Sequence, residues 1–319
     1  MTGSRRLIHS AFLLLLPIIV AGFGLTLPAA VALVLLALVW RWAVVLSGII
    51  APEKTPALIL ETISASHFVE KVRWSMDRLG VDYTERQSAG TLGAFFTGRS
   101  VPQLKVRTGI VQSMVGNSPE ILRYLWGAYA AILPDAARFL EPTEERLKLE
   151  SRIDSYGRDL QVWVYYHALH DRKLTLRAWG ANSELVPWWQ RQAVIALFPV
   201  LAFLIRRAFS ISADHYARTA RSIEAFLSEV DTCLADGRGS ILGGDTSNYT
   251  DIAFAAISGL WLQPEGYGGG MADAARIEHD RVPGEMRAEI QRWIEDHAAA
   301  VAFIERMYAT ERKADPEAC

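Results

Sequence analysis

Ile63-Ser-Ala-Ser-His-Phe-Val-Glu-Lys-Val-Arg73 is the stretch on which the reading of this chain turns. A short apolar run, Ala57 to Leu60, precedes it, and Phe68, Val72, Met76 and Leu79 recur at spacings of four, four and three. The run predicts a buried strand, and the spacing an amphipathic helix stopped at Gly80. Ser66 therefore falls in the loop where a strand hands over to a helix. The first N–H groups of a helix have no partner inside it, and the helix dipole favours negative charge there. A hydroxyl beside such a terminus can hold an anion, a thiolate included. Two readings of Ser66 stand side by side, an ordinary helix cap and a donor to a bound anion. Ser64 is a second hydroxyl that could take the donor's part.

The alternation continues outward. Val81–Glu85 reads as a second strand, and residues 88–100, rich in Gly, Ser and Thr, as an irregular stretch. Gln103–Val106 and Val111–Val115 read as strands joined through Thr108-Gly109. Ser118 is expected to cap a helix to about Ala130, with Pro119 at the first helical position. The order βαβ, then ββα, predicts a small α/β domain over residues 57–133.

After a Pro-marked linker, Leu133–Pro142, strand signals stop. Leu149, Ile153, Tyr156, Leu160 and Val164 keep helical spacing, as do Tyr216, Ala220, Ile223, Leu227, Val230 and Leu234. Ile290, Trp293, Ile294 and Val301 predict one shorter helix. Asn248 with Asp251 three residues on reads as a capping box opening a helix through Leu262. The second domain, residues 143–312, is thus expected to be all-helical, with a disordered tail from Glu311.

Composition narrows the function classes. With 51% hydrophobic and 21% charged residues in 319, the chain can bury a large core. A net charge of −2 gives no footprint for nucleic acid. The two cysteines, Cys233 and Cys319, exclude a disulfide scaffold, a cysteine metal site and dithiol exchange at Ser66.

Residues 1–50 differ from the rest. Arg5 and Arg6 precede an apolar run from Leu7 that meets no charge until Arg41. A bilayer core needs about 20 helical residues, so the run predicts two spans, Leu7–Leu25 and Pro28–Ile49, as a transmembrane helical hairpin. A single span is the alternative, since Arg41 lies near the end of the second. Trp40 and Trp42 suit an interface belt, and the flanking Arg5, Arg6, Arg41 and Lys54 place the globular domains on the cytoplasmic side. A secretory signal fits less well, because the run is long and no small-x-small cleavage site follows; a buried helical hairpin is the third reading.

Three motifs carry a family resemblance over about residues 57–312. Ser66-His-Phe-Val-Glu-Lys-Val-Arg73 is similar to the Ser-Pro-Phe-x-x-Lys/Arg-Val-Lys/Arg motif of serine-type glutathione S-transferases, with His67 in place of proline. Val101-Pro102-Gln103-Leu104 resembles their Val-Pro-x-Leu element, where the proline is cis. Asn117-Ser118-Pro119-Glu120-Ile121 resembles their acidic-or-Gln-Ser-x-x-Ile element, with Asn117 as the departure. Thr97-Gly98-Arg99-Ser100 replaces the usual Asn-Pro, and Gly243–Asp251 is similar to a structural capping motif.

The resemblance implies a thioredoxin-like domain followed by an all-helical one. It implies an enzyme that conjugates glutathione to apolar electrophiles, or reduces them with it, with Ser66 as hydrogen-bond donor to the sulfur of glutathione, the co-substrate. Val101 and Pro102 would meet its cysteinyl part, and Asn117 and Ser118 its γ-glutamyl part. No metal is implied. The expected partners are an apolar small-molecule electrophile, membrane lipid and, as family members often are, a second copy in a homodimer. A non-catalytic module of the same fold, used for protein or lipid contact, is the alternative.

Other features read more plainly. His67 is expected to be an exposed loop histidine. His167, His170 and Asp171 read as a partly exposed helix face rather than a metal site, and Gly266–Gly270 as a mobile loop near a second substrate. Ala193–Ile205, 13 uncharged residues between aromatic and arginine flanks, is too short to span a bilayer. It reads as a buried core helix kinked at Pro199, or as a helix lying on a membrane surface.

Overall fold

The computed structural model describes residues 24, 26–47, 55–90, 92, 101–108 and 111–312. In chain order the helices and strands are α1 (Leu27–Ser47), β1 (Ala57–Thr62), α2 (His67–Leu79), β2 (Tyr83–Gln87), β3 (Gln103–Thr108), β4 (Val111–Gly116) and α3 (Ser118–Tyr129). Helices alone follow: α4 (Pro134–Ala137), α5 (Glu144–Ala168), α6 (Arg172–Ala178), α7 (Trp188–Ala196), α8 (Phe198–Ala208), α9 (Ala213–Leu234), α10 (Tyr249–Leu262), α11 (Gly284–Asp296) and α12 (Ala298–Glu311). The order βαβ, ββα, then helices is the one expected.

The chain divides into two compact units. The first contains α1 and most of the strand residues, and the strands form a sheet in the order β2-β1-β3-β4. Leu58, Ile59 and Leu60 are buried, as a continuous apolar strand requires. In α1, Leu36, Val39, Trp40 and Trp42 are exposed. Among the described residues no single helix is long and apolar enough to cross a membrane, and the described apolar stretch of α1 is Val31–Ala43. The other expected span, Leu7–Leu25, lies outside the described residues apart from Gly24.

The second unit holds α2, α3 and all the later helices. Its centre is aromatic: Trp163 lies 4.8 Å from Trp293, and Trp261 5.5 Å from Trp293, all three buried. The predicted stripes face this core. Leu149, Ile153, Tyr156 and Leu160 of α5 are buried, and so are Ile223, Leu227, Val230 and Leu234 of α9. The capping box at α10 forms as read, with the Asn248 side chain accepting from Thr250 N–H and Asp251 accepting from Asn248 N–H. Asp251 also accepts from Ile241 N–H, so one carboxylate satisfies two buried backbone donors.

Helix α2 ends as the sequence predicts, at Gly80 in the left-handed conformation (φ 69°), whose N–H closes on Asp77 and Met76 carbonyls. It is buried on more faces than an apolar stripe accounts for, because Glu70, Lys71 and Arg73 are buried with it. Lys71 Nζ stands 2.9 Å from both Glu150 and Asp154 of α5. Arg73 pairs with Glu70 and Glu85, each at 2.8 Å. Buried charge is tolerable only when paired in this way.

Four expectations change. The stretch 290–301 is two helices, broken at His297. Ala193–Ile205 is also two, α7 and α8, broken at Leu197 and bent by 76°. The linker Leu133–Pro142 contains α4 and packs Phe139 and Leu140 inward. Arg312 is buried rather than part of a loose tail, with ion pairs of 2.8 Å to Glu70 and to Asp77.

Candidate functional site

Ser66 sits at the N-cap position of α2 (φ −74°, ψ 121°), yet its hydroxyl makes no cap hydrogen bond. The loop is held by backbone instead: Ser66 N–H donates to Ile63, and Glu70 N–H to Ser66, at 3.1 and 3.0 Å. Ser66 is half-buried and borders a cavity of about 640 Å³. Ser64 is different. It is buried, is absent from that lining, and donates to Gln87 Oε1 at 2.5 Å. Of the two serines, only Ser66 borders the cavity with no side-chain hydrogen bond at its helix cap.

Val101, Pro102, Asn117, Ser118 and Pro119 border the same cavity. The Val101–Pro102 bond is cis. Asn117, not Ser118, occupies the N-cap of α3, one residue earlier than predicted. Its φ of 65° is rare for a residue with a side chain, and its side chain makes no cap bond. Ser118 becomes the first residue of the helix and is buried. Two helix N-termini, those of α2 and α3, thus open into one space. Each brings backbone N–H groups and the positive end of a dipole, so the cavity suits a ligand with two anionic parts.

His67 overturns its expected place in an exposed loop. It is buried as the first residue of α2, and its Nε2 lies 2.9 Å from the Gly157 carbonyl. A carbonyl only accepts, so Nε2 carries the proton. Burial lowers its pKa to about 4, the hydrogen bond to Gly157 opposing this only in part. The ring is therefore neutral near pH 7 and supplies no charge to the cavity.

Tyr267 likewise departs from the predicted mobile loop. It is fully buried, and its hydroxyl donates to the Ala65 carbonyl at 3.1 Å. The glycine segment is thus a strut under the loop that carries Ser66. Gly266, Gly268, Gly269 and Gly270 all have positive φ, which explains their residue type.

The far wall of the cavity comes from α5 and the later helices. Asp154, Arg158, Gln161, Val164, Tyr165 and Ala168 of α5 line it, along a face beside the core stripe. Asp154 is raised by burial, while Lys71 opposes the shift. Trp179, Phe209, Leu260, Ile277, Val282 and Ile290 make the remainder largely apolar. The sequence reading missed Asp154, Arg158, Gln161 and Tyr165. Their spacing of four, three and four was visible, as a second stripe on a helix already assigned.

The histidine cluster is structural. His167 is buried 3.6 Å from Glu289, which also accepts from Trp163 and Tyr216. His170 contacts Arg206, and Asp171 caps α6 by accepting from Lys173 and Leu174 N–H. Among the described residues no group of His, Cys, Asp and Glu is placed to hold a metal ion.

No protein-family model matches the sequence, and no curated protein matches it. Solved structures similar to this one include a glutathione S-transferase from Methylobacterium radiotolerans in complex with glutathione sulfonate (19% identity, 81% of this chain and 93% of that chain, TM-score 0.48). A second is a glutathione S-transferase from Methylobacillus flagellatus with glutathione bound (12% identity, 80% and 97%, TM-score 0.46). A third is one from Sinorhizobium meliloti (14% identity, 82% and 91%, TM-score 0.43). These likenesses are slight, and the functional conclusion rests on the cavity itself.

Proposed function

We propose that this chain is a glutathione transferase acting on apolar electrophiles. The observation that carries this reading is convergence: Ser66, the cis Val101–Pro102 pair and the Asn117–Ser118 helix start border one cavity. Glutathione is anionic at its carboxylates and at its ionised sulfur, and the cavity offers two helix N-termini and a free hydroxyl. In this reading the α3 start holds the γ-glutamyl carboxylate, the Val101 backbone pairs with the cysteinyl part, and Ser66 donates to the sulfur.

The energetics suffice. A free thiol titrates near 8.5, and lowering that by about two units takes about 2.7 kcal/mol of preference for the thiolate. A hydrogen bond to a charged group supplies about 1.5–3 kcal/mol and a helix N-terminus about 0.3–1 kcal/mol. The thiol proton goes to water. The thiolate then attacks the electrophilic carbon, forming the C–S bond as the leaving group takes the displaced electron pair. The apolar wall from Phe209 to Ile290 suits an apolar second substrate. Residues 1–50 are proposed to hold the chain at a membrane, with its globular part on the cytoplasmic side, where such substrates concentrate.

The test is glutathione binding by calorimetry and conjugation of an aryl halide, using the full-length chain in detergent. Binding with conjugation is expected. No binding at millimolar glutathione would overturn the enzyme and leave the non-catalytic module.

A further inference from the structure

Of the two readings of Ala193–Ile205, core helix or helix on a membrane surface, the core reading holds for only one face of α7 and α8. Val194, Phe198 and Ile205 are buried in a small cluster with Trp179, Val186 and Ile211. The opposite face is also apolar. Val200, Phe203 and Leu204 recur along α8 at helical spacing and are exposed, Phe203 at 62%. Trp188 is 70% exposed at the start of α7, and Leu197 is exposed at the bend. Soluble surfaces rarely leave so continuous an apolar patch uncovered.

The rim of the patch is basic. From Arg172 to Arg207 the sequence contains six basic residues and one acidic, in a chain whose net charge is −2. Arg206 and Arg207 are exposed and close α8, and Arg172 reaches back to the Ile195 carbonyl at 2.9 Å. An apolar stripe with tryptophan at one end and arginine at the other fits the boundary of an anionic bilayer. A second copy would set the same basic rim against itself. Neither helix reaches across alone: α8 has 11 residues, about 16 Å of helix against a core of about 30 Å, and α7 turns away by 76°, so the pair makes no straight span.

We propose that the outer face of α7 and α8 docks on an anionic lipid surface and lies in the interface without crossing it. This contact is separate from residues 1–50 and does not depend on the glutathione reading.

The experiment places a nitroxide spin label at Phe203→Cys in the full-length chain carrying Cys233→Ser and Cys319→Ser, with Lys148→Cys, an exposed site on α5, as the control. Collision rates with oxygen and with a water-soluble nickel chelate are compared in phosphatidylcholine vesicles with and without phosphatidylglycerol. The label at 203 is expected to gain oxygen and lose nickel access when phosphatidylglycerol is present, and the label at 148 to stay in water. Arg206→Gln with Arg207→Gln should raise the phosphatidylglycerol needed, at roughly fivefold weaker binding per residue removed. A label at 203 as open to nickel as the control would overturn the proposal. So would equal protection without vesicles, which would mean a protein partner or a second copy. Conjugation is read on the same samples, so an active enzyme with a water-exposed label sinks the docking alone. A docked chain that binds no glutathione sinks the enzyme alone.

Discussion

At the scale of single residues, the hydroxyl of Ser66 is the group on which the proposed chemistry depends. Ser66→Ala is expected to lower conjugation about 10- to 100-fold, the equivalent of one hydrogen bond to a charged sulfur. The spectroscopic pKa of bound glutathione should rise with it, which a merely structural role would not produce. Full activity in Ser66→Ala would remove Ser66 from the mechanism. His67 gives a second prediction. The unfolded chain takes up this proton near 6.5 and the folded chain only near 4. Between those values the unfolded state binds more protons, so stability falls as pH falls, by up to about 3 kcal/mol at pH 4. His67→Gln should flatten that part of the pH profile in denaturant titrations; an unchanged slope would assign it to carboxylates such as Glu70. The candidate site was legible in the sequence as far as local pattern reaches. Ser66 and Ser118 stand out by their place at helix starts. That Ser64 is committed to Gln87, or that Tyr267 braces Ala65 across 202 residues of sequence, depends on long-range packing that no local window contains.

Among the helices, the close approach of α2 to α5 is set by Gly157. A Cβ there would meet Phe68 Cζ at 2.8 Å and Ile257 Cδ1 at 3.2 Å. Gly157→Ala gains about 1 kcal/mol of helix propensity but costs about 1–3 kcal/mol of overpacking. The expected net is a loss of up to about 2 kcal/mol in unfolding free energy. Phe68 borders the cavity, so the variant should also raise the KM for the apolar substrate while leaving glutathione affinity near its original value. An unchanged KM would show that Phe68 does not shape that part of the cavity. Helix existence was readable because apolar spacing is strong in α5 and α9. Helix breaks were readable only in part: Pro199 signalled a kink beside the break at Leu197, whereas His297 interrupts an apolar pattern with neither glycine nor proline at the break. What decides there is packing on two separate surfaces. For α8 the core and membrane-surface readings stayed side by side, since an apolar run does not say which of its faces is covered.

At the scale of the molecule, the end of the described chain is tied back to its organising helix. Arg312, after α12, pairs with Glu70 and Asp77 of α2. Arg312→Met leaves Glu70 buried with Arg73 as its remaining cation, and a cost of about 3 kcal/mol is expected, at the low end for breaking a buried pair. A smaller change in the thermal midpoint than in a surface variant such as Lys148→Ala would refute this. The expected tail from Glu311 missed that pair because the partner of Arg312 lies 242 residues earlier. A last consequence follows from Phe209, which closes α8 and also borders the cavity. The docking helix and the substrate wall share that residue, so an electrophile dissolved in lipid would enter at a level set by its mole fraction in the bilayer. Turnover should then obey surface dilution. Empty vesicles added at fixed total electrophile would slow the reaction, whereas glutathione, confined to water, would bind as tightly as before.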